Sequence, residues 1–180
     1  MTLRLRAFAA IPPPLLRPLV VRRLLRATAG AFRAPPPRVG GVSGRALLRA
    51  YARFSDARAR SLLEGDGDLD AARRDLWGSA QRLGGMLRRR LGVRTVADAM
   101  VAARAVYRAL DIDLRGSAGG DVLVGRCSFA RLYTPEVCAV MASVDAGVFA
   151  GLTGGRRLTF RRRITEGAPA CVARLEEPAA

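Results

Sequence analysis

Apolar residues recur at helical spacing through most of the first 110 positions and at strand spacing only afterwards. Between positions 15 and 27, Leu15, Leu16, Leu19, Val20, Leu24 and Ala27 follow steps of three and four, with Arg17, Arg22, Arg23 and Arg26 between them. This pattern predicts one short amphipathic basic helix. The proline runs Pro12–Pro14 and Pro35–Pro37 bracket it, because proline cannot continue a helix interior. A second periodic run carries Leu47, Leu48, Tyr51 and Phe54; Ser43 is placed to cap it, and the acidic turn from Glu64 to Asp68 closes it.

A third run, through Leu76, Trp77, Leu83, Met86 and Leu87, starts at Asp68 or Asp70 and stops at Gly92. The arginines Arg88, Arg89 and Arg90 suit the negative end of that helix. Thr95 with Asp98 three residues on reads as a capping box for a fourth run carrying Val96, Met100, Val101, Ala105, Val106 and Leu110. The stretch from Asp111 to Asp121 breaks regularity. Val122, Leu123 and Val124 then open a strand that reaches about Cys127. Thr134 and Pro135, as N-cap and first helical residue, start a helix ending near Gly151. A strand from Arg157 to Ile164 and a partner from Ala170 to Leu175 form a hairpin through the turn at Glu166 and Gly167. The expected fold class is α+β: a helical amino-terminal half packed on a small, mainly antiparallel sheet, with one carboxyl-terminal helix inserted between strands. Residues 1–42 read as a basic, proline-rich segment and residues 43–180 as one domain, since 180 residues hold one substantial core.

Composition narrows the chemistry. The chain has no lysine, histidine or asparagine, and all 31 of its basic residues are arginine. That excludes Ser-His-Asp and Cys-His pairs, imidazole metal ligands, Schiff-base lysines and the phosphate lysine of a P-loop. The net charge of +16 is concentrated at one end: residues 1–60 hold 13 arginines and one acid. Because the rest of the chain is close to neutral, no nucleic-acid surface is expected. The amphipathic helix within residues 1–42 has two readings: peripheral contact with an anionic membrane, or docking of its apolar face on the domain with the arginines solvated. No apolar run is long enough for a transmembrane helix, and three cysteines without disulfide-like spacing fit a reducing, cytoplasmic setting. The acidic turn lacks the spacing and terminal glutamate of an EF-hand, so no calcium site is expected.

The remaining reactive groups gather late in the chain. On the helix from Pro135, Cys138, Met141, Ala142, Asp145 and Phe149 share one face. Asp145 lies too far in to be a cap, and in apolar company it must be paired or protonated. Cys138, about one turn in, feels the helix dipole, which favours a thiolate modestly. Cys127 and Cys171 can face it if their strands pair. Three readings stay open for this set: core packing, a cysteine nucleophile with Asp145 as proton carrier, or a Cys/Asp metal site for which no CxxC spacing speaks. The first two need no metal, and neither a metal nor a cofactor is the expectation. Arg162 alternates onto the face of Leu158 and Phe160, with Arg161 and Arg163 opposite, so Arg162 or Arg161 is expected to hold a carboxylate.

Cys127, the run Thr134-Pro-Glu-Val-Cys138, Asp145, Gly151-Leu152, Arg161, Ile164-Thr-Glu-Gly167 and Cys171 together resemble the L-2-amino-thiazoline-4-carboxylic acid hydrolase-like domains over residues 121–175. The order of strands and helix is also similar to four-vinyl-reductase-type ligand-binding domains, which often dimerise. The resemblance implies hydrolytic opening of a small cyclic amidine carboxylate, with Cys127, Cys138, Cys171 and Asp145 in catalysis and Arg161 or Arg162 seating the carboxylate. The alternative it leaves is a non-catalytic small-molecule-binding or sensor domain, and the likeness to the four-vinyl-reductase-type domains implies that a homodimer can form.

Overall fold

The structure, a computed structural model, describes residues 1–65 and 67–177. Asp66, inside the acidic turn, and residues 178–180, at the end of the expected domain, lie outside it. Helices α1 (Leu3–Ala10), α2 (Pro13–Ala31), α3 (Gly44–Glu64), α4 (Leu69–Leu91) and α5 (Val96–Ala109) precede the sheet, and α6 (Pro135–Thr153) interrupts it. The strands are β1 (Asp113–Gly116), β2 (Asp121–Arg126), β3 (Arg157–Arg162) and β4 (Cys171–Glu176), in the order β1-β2-β4-β3, each antiparallel to its neighbour. Because β4 lies between β2 and β3, those two strands run parallel and α6 crosses from one to the other. The fold is α+β.

The helix starts follow local chemistry. Asp68 Oδ1 accepts from the Ala71 amide at 2.8 Å, Thr95 and Asp98 form the reciprocal capping box, and Thr134 Oγ1 accepts from the Val137 amide at 3.3 Å. Ser43 occupies the N-cap of α3 but makes no side-chain capping bond. Two elements lie where irregular chain was expected. Helix α1 is short, and β1 is a four-residue edge strand with an irregular register at Asp113 and Leu114. Neither is long enough to show a period in sequence.

The amino-terminal segment is fastened to the body. Leu5, Leu16, Val20, Val21, Leu24 and Leu25 join the same apolar cluster as α3 to α6 and the sheet. Relative to the expected stripe, the buried face of α2 is rotated, leaving Leu15 and Leu19 at 72% and 50% exposure. The inward position goes to Arg17, only 6% exposed, whose Nε donates to the Ala109 carbonyl at 2.8 Å and whose Nη2 pairs with Asp111. A buried charge is tolerable because both bonds are made, and they close the carboxyl end of α5, where free carbonyls need donors. Thr2 Oγ1 donates to the Leu91 carbonyl at the end of α4, and Arg108 Nη2 donates to Ala9 at 2.7 Å.

Helices α4 and α6 approach to backbone contact. A Cβ on Gly147 would lie 2.3 Å from the Trp77 carbonyl, one on Gly151 would lie 2.2 Å from the Gln81 carbonyl, and one on Gly84 would lie 2.3 Å from the Val148 carbonyl. Glycines spaced four apart on α6 meet Ala80 and Gly84, also four apart, on α4. Backbone cannot yield as a flexible side chain can. Gly151→Ala is therefore expected to destabilise the protein by about 3 kcal/mol or prevent folding, the upper part of the overpacking range. Gly78→Ala, whose Cβ would meet only Arg82 Nη1 at 3.7 Å, should gain about 0.5 to 1 kcal/mol from helix propensity. Urea unfolding of the two variants checks the contrast, and equal effects would show that α4 and α6 are not in such contact.

Candidate functional site

On its other side α6 faces a cavity of about 90 Å³, closed by α3, α5, the sheet and the segment from Cys127 to Tyr133. Val106, Leu114, Val122, Val124, Met141, Val144, Val148, Phe149 and Leu158 make its walls apolar. These positions follow from periodicity: alternate residues of β2 point inward, and every third or fourth residue of α5 and α6 does the same. Cys127, Cys138, Asp145 and Cys171 all line this one space. The helix face read from sequence, Cys138, Met141, Ala142, Asp145 and Phe149, is the α6 wall of the cavity.

Arg161 and Arg162 are not part of it. Both are exposed, and Arg163 lines the cavity instead. The reason is a β-bulge: Phe160 pairs with Ala173 and Arg162 with Val172, so Arg161 is the extra residue and the inward phase shifts by one. Simple alternation past Phe160 selects the wrong arginine. Arg163 lies over the Phe160 ring, 5.2 Å from its centroid, and its Nη1 pairs with Glu166 at 2.8 Å. Among the described residues its Nε is buried with no partner, as is Thr165 Oγ1.

Asp145 accepts a 2.6 Å hydrogen bond from the Tyr107 hydroxyl through Oδ1. Asp145 is half-buried, and it lines the cavity among mostly apolar walls. Burial pushes its pKa up to about 6, against the opposing effects of the Tyr107 bond and the Arg163 charge. Burial, reinforced by the Asp145 charge and bond, also holds the Tyr107 phenol well above its usual value. The thiols respond alike. Burial pushes Cys127 up to about 12 and raises Cys138 and Cys171. For Cys138 the dipole expectation yields to burial; the Thr165 hydroxyl beside it lowers the value in part without reaching hydrogen-bond geometry. Cys171 Sγ accepts from the Ile164 amide at 3.3 Å, which helps hold the chain as it leaves β3.

No protein-family model and no curated protein matches this chain. Geometry alone must then say what the site can do. All three thiols are free and stay protonated at neutral pH, so they are poor nucleophiles. Among the described residues, no group of three or more Cys, Asp or Glu side chains is arranged to hold a metal ion. Asp145 is different: a carboxyl near pH 6, bonded to a phenol, can accept or donate a proton.

The tyrosines were not foreseen as part of the site. All three in the chain, Tyr51, Tyr107 and Tyr133, line the cavity. Phe129 links two of them, edge-on to Tyr51 at 5.8 Å and stacked on Tyr133 at 5.4 Å. Tyr133 and Ser55 share a hydroxyl bond, and Tyr51 lies 3.4 Å from Thr28. The usable signal for Tyr107 is a lone phenol among the alanines and valines of α5: a buried hydroxyl needs a partner, and Asp145 needs a donor.

Because folding raises the Asp145 pKa from 3.8 to about 6, the folded state holds this proton more tightly than the unfolded chain. The contribution of Asp145 to stability is therefore lost as pH rises from about 4 through 6. Asp145→Asn is expected to gain on wild type by about 2 kcal/mol between pH 4 and pH 8. Chemical unfolding of both proteins across that range tests the sign, and a constant difference would mean that Asp145 titrates as an ordinary carboxyl.

Proposed function

We propose that the protein binds a small, mostly apolar molecule in the cavity behind α6. The observation that carries this reading is a cavity with mostly apolar walls that bears a few polar groups, Asp145 with Tyr107 and Arg163 with Thr165, in place of close-packed side chains. Interiors are normally filled to crystal-like density, and a pocket with a small number of placed polar groups is the common form of a ligand site. On a scale of roughly 10 to 15 Å³ per water-sized group, the space takes about six to nine non-hydrogen atoms. The reading of a reducing, cytoplasmic setting is supported by the three free thiols.

A second reading is favoured by one observation, the elevated pKa of Asp145. A hydrolase of the L-2-amino-thiazoline-4-carboxylic acid type would use Asp145 as base toward water, and its substrate carboxylate would have to displace Glu166 from Arg163. The protonated thiols do not support cysteine as the nucleophile in that scheme.

Saturation-transfer NMR with p-xylene is expected to show binding to wild type, and Ala142→Phe, which fills the cavity from α6, should abolish it while near-ultraviolet circular dichroism stays native. Binding that survives in a folded Ala142→Phe variant would place the ligand elsewhere. Turnover of 2-amino-thiazoline-4-carboxylate that disappears in Asp145→Asn but persists in Cys138→Ser and Cys171→Ser would favour the hydrolase.

A further inference from the structure

The polar groups of the cavity are not mixed. Asp145 engages Tyr107 through Oδ1, and among the described residues Oδ2 has no hydrogen-bond partner, so one end offers an acceptor. Thr165 stands beside Cys138, and with Arg163 Nε it is buried without a partner, so this end offers donors. Cys138 and Asp145 are seven residues apart on one helix, which is about two turns or roughly 10 Å along the axis. Met141 and Ala142, between them, present only apolar surface to the cavity. Asp145 is the one carboxylate among the lining residues and Arg163 the one cation, and Glu166 already partners that cation.

We infer that the ligand is a neutral molecule with a hydrogen-bond donor at one end, an acceptor at the other and an apolar middle, seated with its donor on Asp145 and its acceptor on Arg163 and Thr165. This rests on the cavity being a ligand site. An isolated buried donor such as Arg163 Nε is costly, so a ligand acceptor there removes a penalty as well as making a bond. A carboxylate ligand is disfavoured, because it adds a negative charge to a space whose single cation is already paired.

The test is a matched series of para-substituted benzenes at pH 7.5, measured by calorimetry or ligand-observed NMR: p-xylene with neither group, p-toluidine with the donor, p-tolunitrile with the acceptor, 4-aminobenzonitrile with both, and 4-aminobenzoate as the anion. The expected order puts 4-aminobenzonitrile about five- to tenfold tighter than either single-function compound, as one net hydrogen bond implies, with 4-aminobenzoate weakest. Thr165→Val should weaken p-tolunitrile and 4-aminobenzonitrile by a similar factor and leave p-toluidine within about twofold, one hydrogen bond being lost; Thr165→Ser should restore them. If p-xylene binds as tightly as 4-aminobenzonitrile, if 4-aminobenzoate binds best, or if Thr165→Val weakens all members alike, the bipolar assignment fails while the cavity remains a ligand site. If no compound binds, both fail.

Discussion

The contact between α4 and α6 governs the rest of the molecule. With Gly84, Gly147 and Gly151 lacking side chains, the two backbones touch, and α6 has no freedom to roll or slide. Fixing one face of a helix fixes the other. Residues two positions apart on a helix point to nearly opposite sides, so anchoring Gly147 against Trp77 and Ala80 turns Asp145 away from α4 and toward Tyr107. Although Glu136 and Asp145 interrupt its apolar run, α6 is by length and mean composition apolar enough to span a membrane, and its packing against α3, α4, α5 and β3 accounts for that composition.

Within that frame the chemistry is decided by desolvation. The same apolar walls raise the carboxyl of Asp145 and the thiols of Cys127, Cys138 and Cys171, with opposite consequences for reactivity. A carboxyl moved up toward neutrality becomes able to exchange a proton; a thiol moved up loses its reactive anion. Tyr107 limits the cost at Asp145 by offering a short hydrogen bond. The arginine at the far end is held in place by Glu166 and by Phe160.

Much of this was legible in the sequence. The α6 face, from Cys138 to Phe149, follows from a period of three and four, and the caps at Asp68, Thr95 and Thr134 follow from side chains that compete for free amides. Arg163 was not legible, because a bulge changes which residues face inward without changing which residues are present. Tyr107 and Tyr133 reach the site from α5 and from the segment before α6, and such meetings depend on tertiary packing that no local pattern records. Arg17 looked like one more solvated arginine in a basic run, yet its place under the end of α5 is set by the Ala109 carbonyl and Asp111.

The fastening of the first helices also bears on the order of assembly. Thr2 meets Leu91, Arg17 meets Ala109 and Ala9 meets Arg108, contacts that span 89, 92 and 99 residues. During synthesis α1 and α2 emerge before α4 and α5, the helices these bonds join them to. For that interval the apolar faces that α4 and α5 will cover stand open, and exposed apolar surface on a nascent chain invites aggregation. The arginines that crowd this segment, few of them engaged in the finished fold, give it the like-charge repulsion that keeps such chains apart while they wait.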